Sequence, residues 1–341
     1  MYILGLESSC DETSAAIVRM DTDADGICHR EICANMIASQ IETHRLYGGV
    51  VPEIAGRAHI EAVSRITYEA LDTAGLTIRD IGAIAVTTHP GLIGALLVGV
   101  NFAKSLAFAQ NIPLISVNHI HAHVAAAYLA DPELKPPFLA LVVSGGHTQL
   151  YMVEDELTFR IIAGTRDDAA GEAFDKIGRV IGLPYPGGAA LDKLAYEGNP
   201  TAFALPSPAL AGEQPDFSFS GLKTAALNLI NGARQRGEEI DRADLAASYT
   251  ATIVQGIVKQ TKAALKMTGA NTLVMAGGVA ANSHLRAALS EACGRRRVKF
   301  VTPPLSLCGD NGAMVAAAGY FRYRAGLFAD TALNASAADE M

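Results

Sequence analysis

Cysteine is scarce in this 341-residue chain: Cys10, Cys28, Cys33, Cys293 and Cys308 are odd in number and contain no C-x-x-C pair. That argues against a disulfide frame or a zinc knuckle and favours reduced thiols in a cytosolic protein. Long apolar runs are missing as well. No stretch reaches the roughly eighteen uninterrupted apolar residues of a membrane span, although 50% of the residues are hydrophobic. Tyr2-Ile3-Leu4-Gly5-Leu6 leads straight into Glu7, Asp11 and Glu12 without a basic segment or a small-residue cleavage site, so no export signal is expected. Positive charge is short too: the formal net charge is −8, which repels a polyanion unless a local basic patch or a partner intervenes. The visible cluster, Arg295-Arg296-Arg297 with Lys299, is small. What remains is a soluble globular chain of roughly two domains at the usual 100–200 residues each.

Among the features present, His119-Ile120-His121-Ala122-His123 stands out, between a short apolar strand and an alanine-rich helical run over 124–130. On a helix, residues four apart lie about 5–6 Å from one another on one face, so His119 and His123 can offer two imidazoles to one metal ion while His121 points elsewhere. Two surface histidines on one helical turn would look the same, and a metal site needs a third ligand from elsewhere. A zinc-protease motif requires Glu directly after its first His; Ile120 stands there, so that chemistry is excluded.

Read in order, the chain alternates strands and helices. Strands at 2–6 and 15–18 flank a polar turn, Glu7 to Ser14. A glycine-broken loop, His44 to Glu53, precedes a helical pattern over 54–71. A strand at 81–86 leads to an almost wholly apolar helix over 92–109, expected to be buried between layers, and a strand at 112–117 follows. This is an α/β plan. It restarts at 138–143, a continuously apolar run of the kind covered on both faces, followed by Ser144-Gly145-Gly146-His147-Thr148 and a strand over 149–153. The repetition of strand, small-residue turn and strand suggests an internal duplication, without a repeat at the level of residues.

Asp167 and Asp168 are placed to cap a helix over 169–181, residues 197–220 read as a loop, and helices are expected over 221–231 and 242–267, the latter capped by Asp241. A third strand, 272–276, ends in Gly277-Gly278-Val279-Ala280-Ala281-Asn282 before another helix. Glycine turns at strand ends let backbone N–H groups approach an anion, which suits a nucleotide. The spacing fits neither G-x-G-x-x-G nor the GK[ST] of a Walker loop. After a strand at 298–301, Asp310 reads as the N-cap of a final alanine-rich helix.

With these stretches laid out, the chain resembles the family of bacterial tRNA threonylcarbamoyladenosine biosynthesis proteins, threonylcarbamoyltransferase subunits once labelled O-sialoglycoprotein endopeptidases. The resemblance rests on Leu6-Glu7-Ser8-Ser9-Cys10-Asp11-Glu12-Thr13, Tyr47-Gly48-Gly49-Val50-Val51-Pro52-Glu53, Asn118-His119 with His123, Val143-Ser144-Gly145-Gly146-His147-Thr148-Gln149, the run Asp167 to Lys176, Tyr185-Pro186-Gly187-Gly188, Gly277 to Asn282 and Asp310-Asn311-Gly312. Relatives often carry Glu-Gly where this chain has His121-Ala122, and Thr where it has Gly309; neither position is a proposed ligand.

The resemblance implies an α/β, two-lobed fold of the actin, sugar-kinase and heat-shock ATPase (ASKHA) superfamily, with a ligand cleft between duplicated lobes: residues 1–132 plus 311–341 in one, 133–310 in the other. It implies transfer of a threonylcarbamoyl group from threonylcarbamoyl-adenylate to N6 of the adenosine at position 37, beside the anticodon, in tRNAs reading codons that start with A. Metal ligands would be His119, His123 and Asp310, holding one ion per chain, Fe(2+) ahead of Zn(2+). Substrate contacts would be Val143, Ser144, Gly145, Gly146, His147, Asp175, Gly188, Asp192 and Asn282, with Glu12 and His147 as catalytic candidates. Expected partners are tRNA, a paralogous non-catalytic subunit of the same fold and a small P-loop ATPase, in the cytoplasm and without a membrane. The fold alone would also admit a non-catalytic or ATP-dependent protein.

Overall fold

The structure, a computed structural model, describes residues 1–22 and 28–338. The chain runs β1 (Tyr2–Glu7), β2 (Glu12–Thr22), β3 (Cys28–Ser39), α1 (Ile41–Arg45), α2 (Pro52–Ala74), β4 (Ile81–His89), α3 (Ile93–Gln110), β5 (Leu114–Asn118) and α4 (His119–Ala130). Then come β6 (Phe138–Val143), β7 (Thr148–Val153), β8 (Phe159–Gly164), α5 (Ala170–Val180), α6 (Gly187–Leu194), α7 (Ser220–Gln235), α8 (Arg242–Thr268), β9 (Thr272–Ala276), α9 (Ser283–Gly294), β10 (Lys299–Val301) and α10 (Gly312–Arg324). Two compact units result: Met1–Lys135 with Pro303–Met341, and Pro136–Thr302. The chain re-enters the first unit at Pro303 rather than after Asp310, so Asp310 belongs to the same unit as His119 and His123.

Each unit has one five-stranded sheet, ordered β3-β2-β1-β4-β5 in the first and β10-β9-β6-β7-β8 in the second. In the first, β1, β2 and β3 form an antiparallel meander, with β4 and β5 parallel beyond β1. In the second, β6, β7 and β8 form the meander, with β9 and β10 parallel beyond β6. The duplication expected from the two hairpins is therefore one of topology: the same strand order and the same sense of pairing, carried by unrelated side chains. The edge strands β3 and β8 were not anticipated. Their sequences mix polar and apolar residues without a clean alternation, because an edge strand needs only part of its surface covered.

Strand alternation gives the first sheet two buried faces. Leu4, Leu6, Ile84 and Val86 join Ile66 and Ala70 of α2 and Val100 and Ala103 of α3 in one buried cluster. Burying each large aliphatic side chain there contributes at most about 1.5–3 kcal/mol. On the opposite face Gly5, Ala16 and Ala85 leave room for α10. A Cβ on Gly5 would fall 2.1 Å from the Gly312 carbonyl oxygen, and one on Gly319 would fall 2.4 Å from the Ala85 Cβ. The start of α10 can thus lie against the backbone of β1 and β2, and Gly312 N–H donates to Ser14 Oγ at 2.8 Å.

The apolar helix α3 differs from its expected place between layers. Ala95, Leu96, Gly99, Val100, Ala103 and Ala107 are buried, whereas Ile93 is 46% and Phe108 79% exposed. By length and composition it could cross a membrane, but the buried stripe shows it packing as an element of a folded unit.

Candidate metal centre and ligand turns

Helix α4 begins at His119, five residues earlier than the alanine run suggested, because Asn118 caps it: its side-chain oxygen accepts from Ile120 N–H at 2.7 Å and His121 N–H at 3.1 Å. Both histidines of the i, i+4 pair are therefore on the helix, His119 on its first turn, with ring centroids 4.6 Å apart. Asp310 is not the cap of α10. Asn311, with no exposed surface, takes that role by accepting from Met314 N–H at 3.0 Å, which sets the preceding carboxylate toward the histidines. His123 Nε2 lies 3.2 Å and His119 Nε2 3.6 Å from Asp310 Oδ1. The three donor atoms lie within 4.8 Å of one another. His121, half-buried on the same helix, is outside this group.

Two neutral imidazoles and a carboxylate make a donor set suited to iron or zinc with positions left open. The hydrogen bonding agrees with it. Neither ring nitrogen of His123 has a hydrogen-bond partner although both are buried; Nε2 is near Asp310 but out of hydrogen-bonding alignment. His119 is held from behind by Glu7 Oε2 and Ser9 Oγ, each 3.1 Å from Nδ1. Such a carboxylate behind a ligating histidine fixes its tautomer and orientation. Burial works to raise the Glu7 pKa, but the charge and hydrogen bond of His119 bring it below the ordinary glutamate value.

The turn Ser8–Asp11 is not the solvated loop its composition allowed: Ser8 and Ser9 are buried and Asp11 nearly so. Glu7 also accepts from Ser9 N–H at 2.6 Å and Thr87 Oγ1 at 2.8 Å. Glu12 accepts from Ser39 Oγ at 3.1 Å. Burial, then Asp310 and Asp11, pushes its pKa up to about 9, so its carboxyl holds a proton at neutral pH. Glu7 carried no assigned role from sequence. The available signal was a carboxylate ending an otherwise apolar strand.

The second unit gathers the remaining candidates in three places. At the β6–β7 turn, Ser144 N–H donates to His147 O at 2.8 Å and His147 N–H to Ser144 Oγ at 3.2 Å. A Cβ on Gly145 or Gly146 would meet nothing within 4 Å, while one on Gly171 would fall 2.5 Å from Ser144 O, so the start of α5 lies against this turn. Gly277, at φ +93°, brings the end of β9 so close to Val143 that a Cβ would lie 2.4 Å from the Val143 carbonyl oxygen. Asp175 Oδ1 accepts from Gly188 N–H at 2.8 Å. Asn282 caps α9 by accepting from Leu285 N–H at 2.8 Å. Asp192 accepts from Ser283 N–H at 3.0 Å, Ser283 Oγ at 2.8 Å and His284 Nδ1 at 2.7 Å, so most of its acceptor capacity serves the start of α9.

Asp167 and Asp168 do not cap α5. Asp167 accepts from Phe219 N–H at 2.7 Å and Ser220 N–H at 3.2 Å, at the start of α7, and Asp168 pairs with Lys223 and Lys176 at 2.6 and 3.3 Å. The Asp241 cap of α8 stands, accepting from Asp244 N–H at 2.9 Å.

A family profile described as tRNA N6-adenosine threonylcarbamoyltransferase matches residues 31–317. The protein of that name from Moorella thermoacetica is 53% identical over 333 residues, covering 98% of this chain and 95% of its own. That from Geobacillus kaustophilus is 51% identical over 337 residues, covering 98% and 96%. Among solved structures, full-length HypF in a phosphate- and nucleotide-bound form covers 99% of this chain and 47% of its own, with TM-score 0.61 at 16% identity. The (R)-2-hydroxyglutaryl-CoA dehydratase component A of Acidaminococcus fermentans covers 95% and 99%, with TM-score 0.55 at 17% identity. At such identities the structures share a fold only, a two-lobed α/β fold.

Proposed function

This chain belongs to the tRNA N6-adenosine threonylcarbamoyltransferase family, and on that premise we propose how its residues serve the reaction. It is a transferase that places a threonylcarbamoyl group on N6 of an adenosine in tRNA. The donor is threonylcarbamoyl-adenylate and the acceptor is the adenosine at position 37 in tRNAs reading codons that start with A. The amine attacks the carbamoyl carbon, the N–C bond forms, the C–O bond to phosphate breaks, and AMP leaves with loss of one proton from N6. The donor is already activated, so the protein's part is positioning and charge stabilisation.

In the first unit, His119, His123 and Asp310 hold one metal ion, Fe(2+) by preference, with Zn(2+) as the other candidate. Such an ion supplies Lewis acidity and a template for oxygen ligands. The observation that carries this assignment is the buried, hydrogen-bond-free Nε2 of His123 beside Asp310, with Glu7 orienting His119. Glu12, on the first hairpin, is the carboxyl for acid–base or positioning work. In the second unit, Gly145 and Gly146 of the Val143–His147 turn offer backbone N–H groups to the nucleotide part of the adenylate, while Gly188, its N–H held by Asp175, contributes close backbone approach. His147 orients the acyl group. Asn282, with its oxygen used as a cap, recognises ligand through its amide nitrogen, and Asp175 and Asp192 act largely by fixing these loops.

The enzyme works in the cytoplasm with a paralogous subunit of the same fold and a small P-loop ATPase. Two features support the first partner: the net charge of −8, which leaves tRNA affinity to a composite surface, and Ile60 and Tyr68, which are 65% and 64% exposed on α2. The test is to incubate the chain with threonylcarbamoyl-adenylate, ferrous or zinc ion, partner proteins and unmodified tRNA, and to weigh the resulting nucleosides. Absence of the threonylcarbamoyl mass from the adenosine would reject the reading.

A further inference from the structure

His59 has no assigned role, yet it is buried with both ring nitrogens engaged. It has no exposed surface and lies on the buried stripe of α2 with Ala55, Val63 and Ile66. Its Nε2 is 3.0 Å from the carbonyl oxygen of Cys10. A carbonyl only accepts, so Nε2 carries the hydrogen. Nδ1, 2.7 Å from Thr13 Oγ1, must then accept from that hydroxyl. The ring is neutral and its tautomer is set by its partners. Burial holds its pKa below the ordinary value.

The two contacts straddle Asp11 and Glu12. On the other side of the same turn, Gln40 N–H donates to Asp11 O at 3.0 Å, and His44, also without exposed surface, ties the Gln40 side chain to Val51 N–H at 3.1 and 3.3 Å. Packing alone would be served by leucine, which fills similar space with no polar atoms to desolvate. What leucine lacks is a donor for the turn's carbonyl and an acceptor for the buried hydroxyl.

We propose that His59 is a positioning residue for the transfer reaction: it clamps the Cys10–Thr13 segment, which follows directly on Ser9 behind His119 and carries the Glu12 carboxyl held by Ser39, and it ties that segment to α2. This rests on the transferase reading above.

The experiment compares steady-state transfer by the reconstituted enzyme, with its metal, partner proteins, threonylcarbamoyl-adenylate and tRNA, for His59→Gln, His59→Leu and Thr13→Val. The glutamine amide retains a donor and an acceptor; leucine retains neither. His59→Leu is expected to lower kcat at least about tenfold, the order of loss that slight misplacement of a working group brings, with KM for the adenylate and metal content unchanged. His59→Gln should recover most of that loss, and His59→Leu/Thr13→Val should be no worse than His59→Leu alone. If His59→Leu does not fold, Thr13→Val, which keeps the ring and removes its hydroxyl partner, must show the same kcat loss. Several results overturn the proposal: kcat within twofold of wild type in the variant that folds, equal losses in His59→Leu and His59→Gln, or losses that track metal content or folded fraction. An inactive wild-type enzyme would instead strike at the transferase reading.

Discussion

Glu7 Oε2 lies 3.1 Å from His119 Nδ1, at the far side of the ring from Asp310. The carboxylate that orients the histidine ends β1, the histidine starts α4, and Asp310 precedes α10. Three segments far apart in sequence therefore meet at one site, two of them supplying the donor set. If these donors hold a metal ion, Glu7→Gln should lower metal affinity about 10- to 100-fold while leaving the ligand atoms in place. His123→Ala should empty the site and abolish transfer with the metal-free fold intact. Elemental analysis of purified variants checks both. Full metal occupancy in a His119→Ala/His123→Ala double variant would remove the assignment.

Metal binding should release a proton. Burial works to lower the His119 pKa, but the Asp310 and Glu7 carboxylates raise it overall to about 9 from an ordinary 6.5. The folded value is the higher one, so the protonated ring stabilises the metal-free protein fully below pH 6.5, and this contribution is lost as pH rises through 9. A metal needs the lone pair that the proton occupies. Affinity should tighten from pH 7 toward 9, with release of about one proton per ion near pH 7.5. Calorimetry in buffers of different ionisation enthalpy measures it, and a buffer-independent heat would contradict the assigned charge state.

The glycine turn of the second unit gives a substitution that should act on ligand alone. A Cβ on Gly146 meets nothing within 4 Å, so Gly146→Val should fold normally while placing a branched side chain where the nucleotide phosphate is proposed to sit. Affinity for AMP or ATP should fall at least tenfold, about 1.4 kcal/mol. Unchanged affinity by calorimetry, at an unchanged melting temperature, would move the nucleotide site elsewhere.

The proposed partner dependence rests on charge and surface. At −8 the chain lacks the general positive field that supplies non-specific nucleic-acid affinity. Transfer should appear only when all components are mixed, and tRNA affinity should fall steeply with added salt. Charged residues at both Ile60 and Tyr68, 65% and 64% exposed, should weaken binding of the paralogous subunit without destabilising the free chain. Multiple-turnover modification by the single chain, at a rate unaffected by partners, would refute this.

The sequence by itself determined the α/β class, the hairpin repeated in each half, and the residue types that can bind a metal. Apolar periodicity and glycine turns are local signals, and β6, β9 and the Asp241 cap were legible from them. The i, i+4 histidine pair was legible for the same reason, since its geometry belongs to a single helix. The resemblance named Asp310 with the pair, and the tertiary structure brings its carboxylate to 3.2 Å from His123 Nε2. A capping aspartate and a ligating aspartate look alike in sequence; the buried Asn311 takes the cap, and the close approach of Gly312 to β1 and β2 sets the aspartate beside α4. The contacts of Glu7 and His59 were likewise out of reach. A buried polar side chain is defined by the partners that satisfy it, and here those partners are up to 112 positions away along the chain.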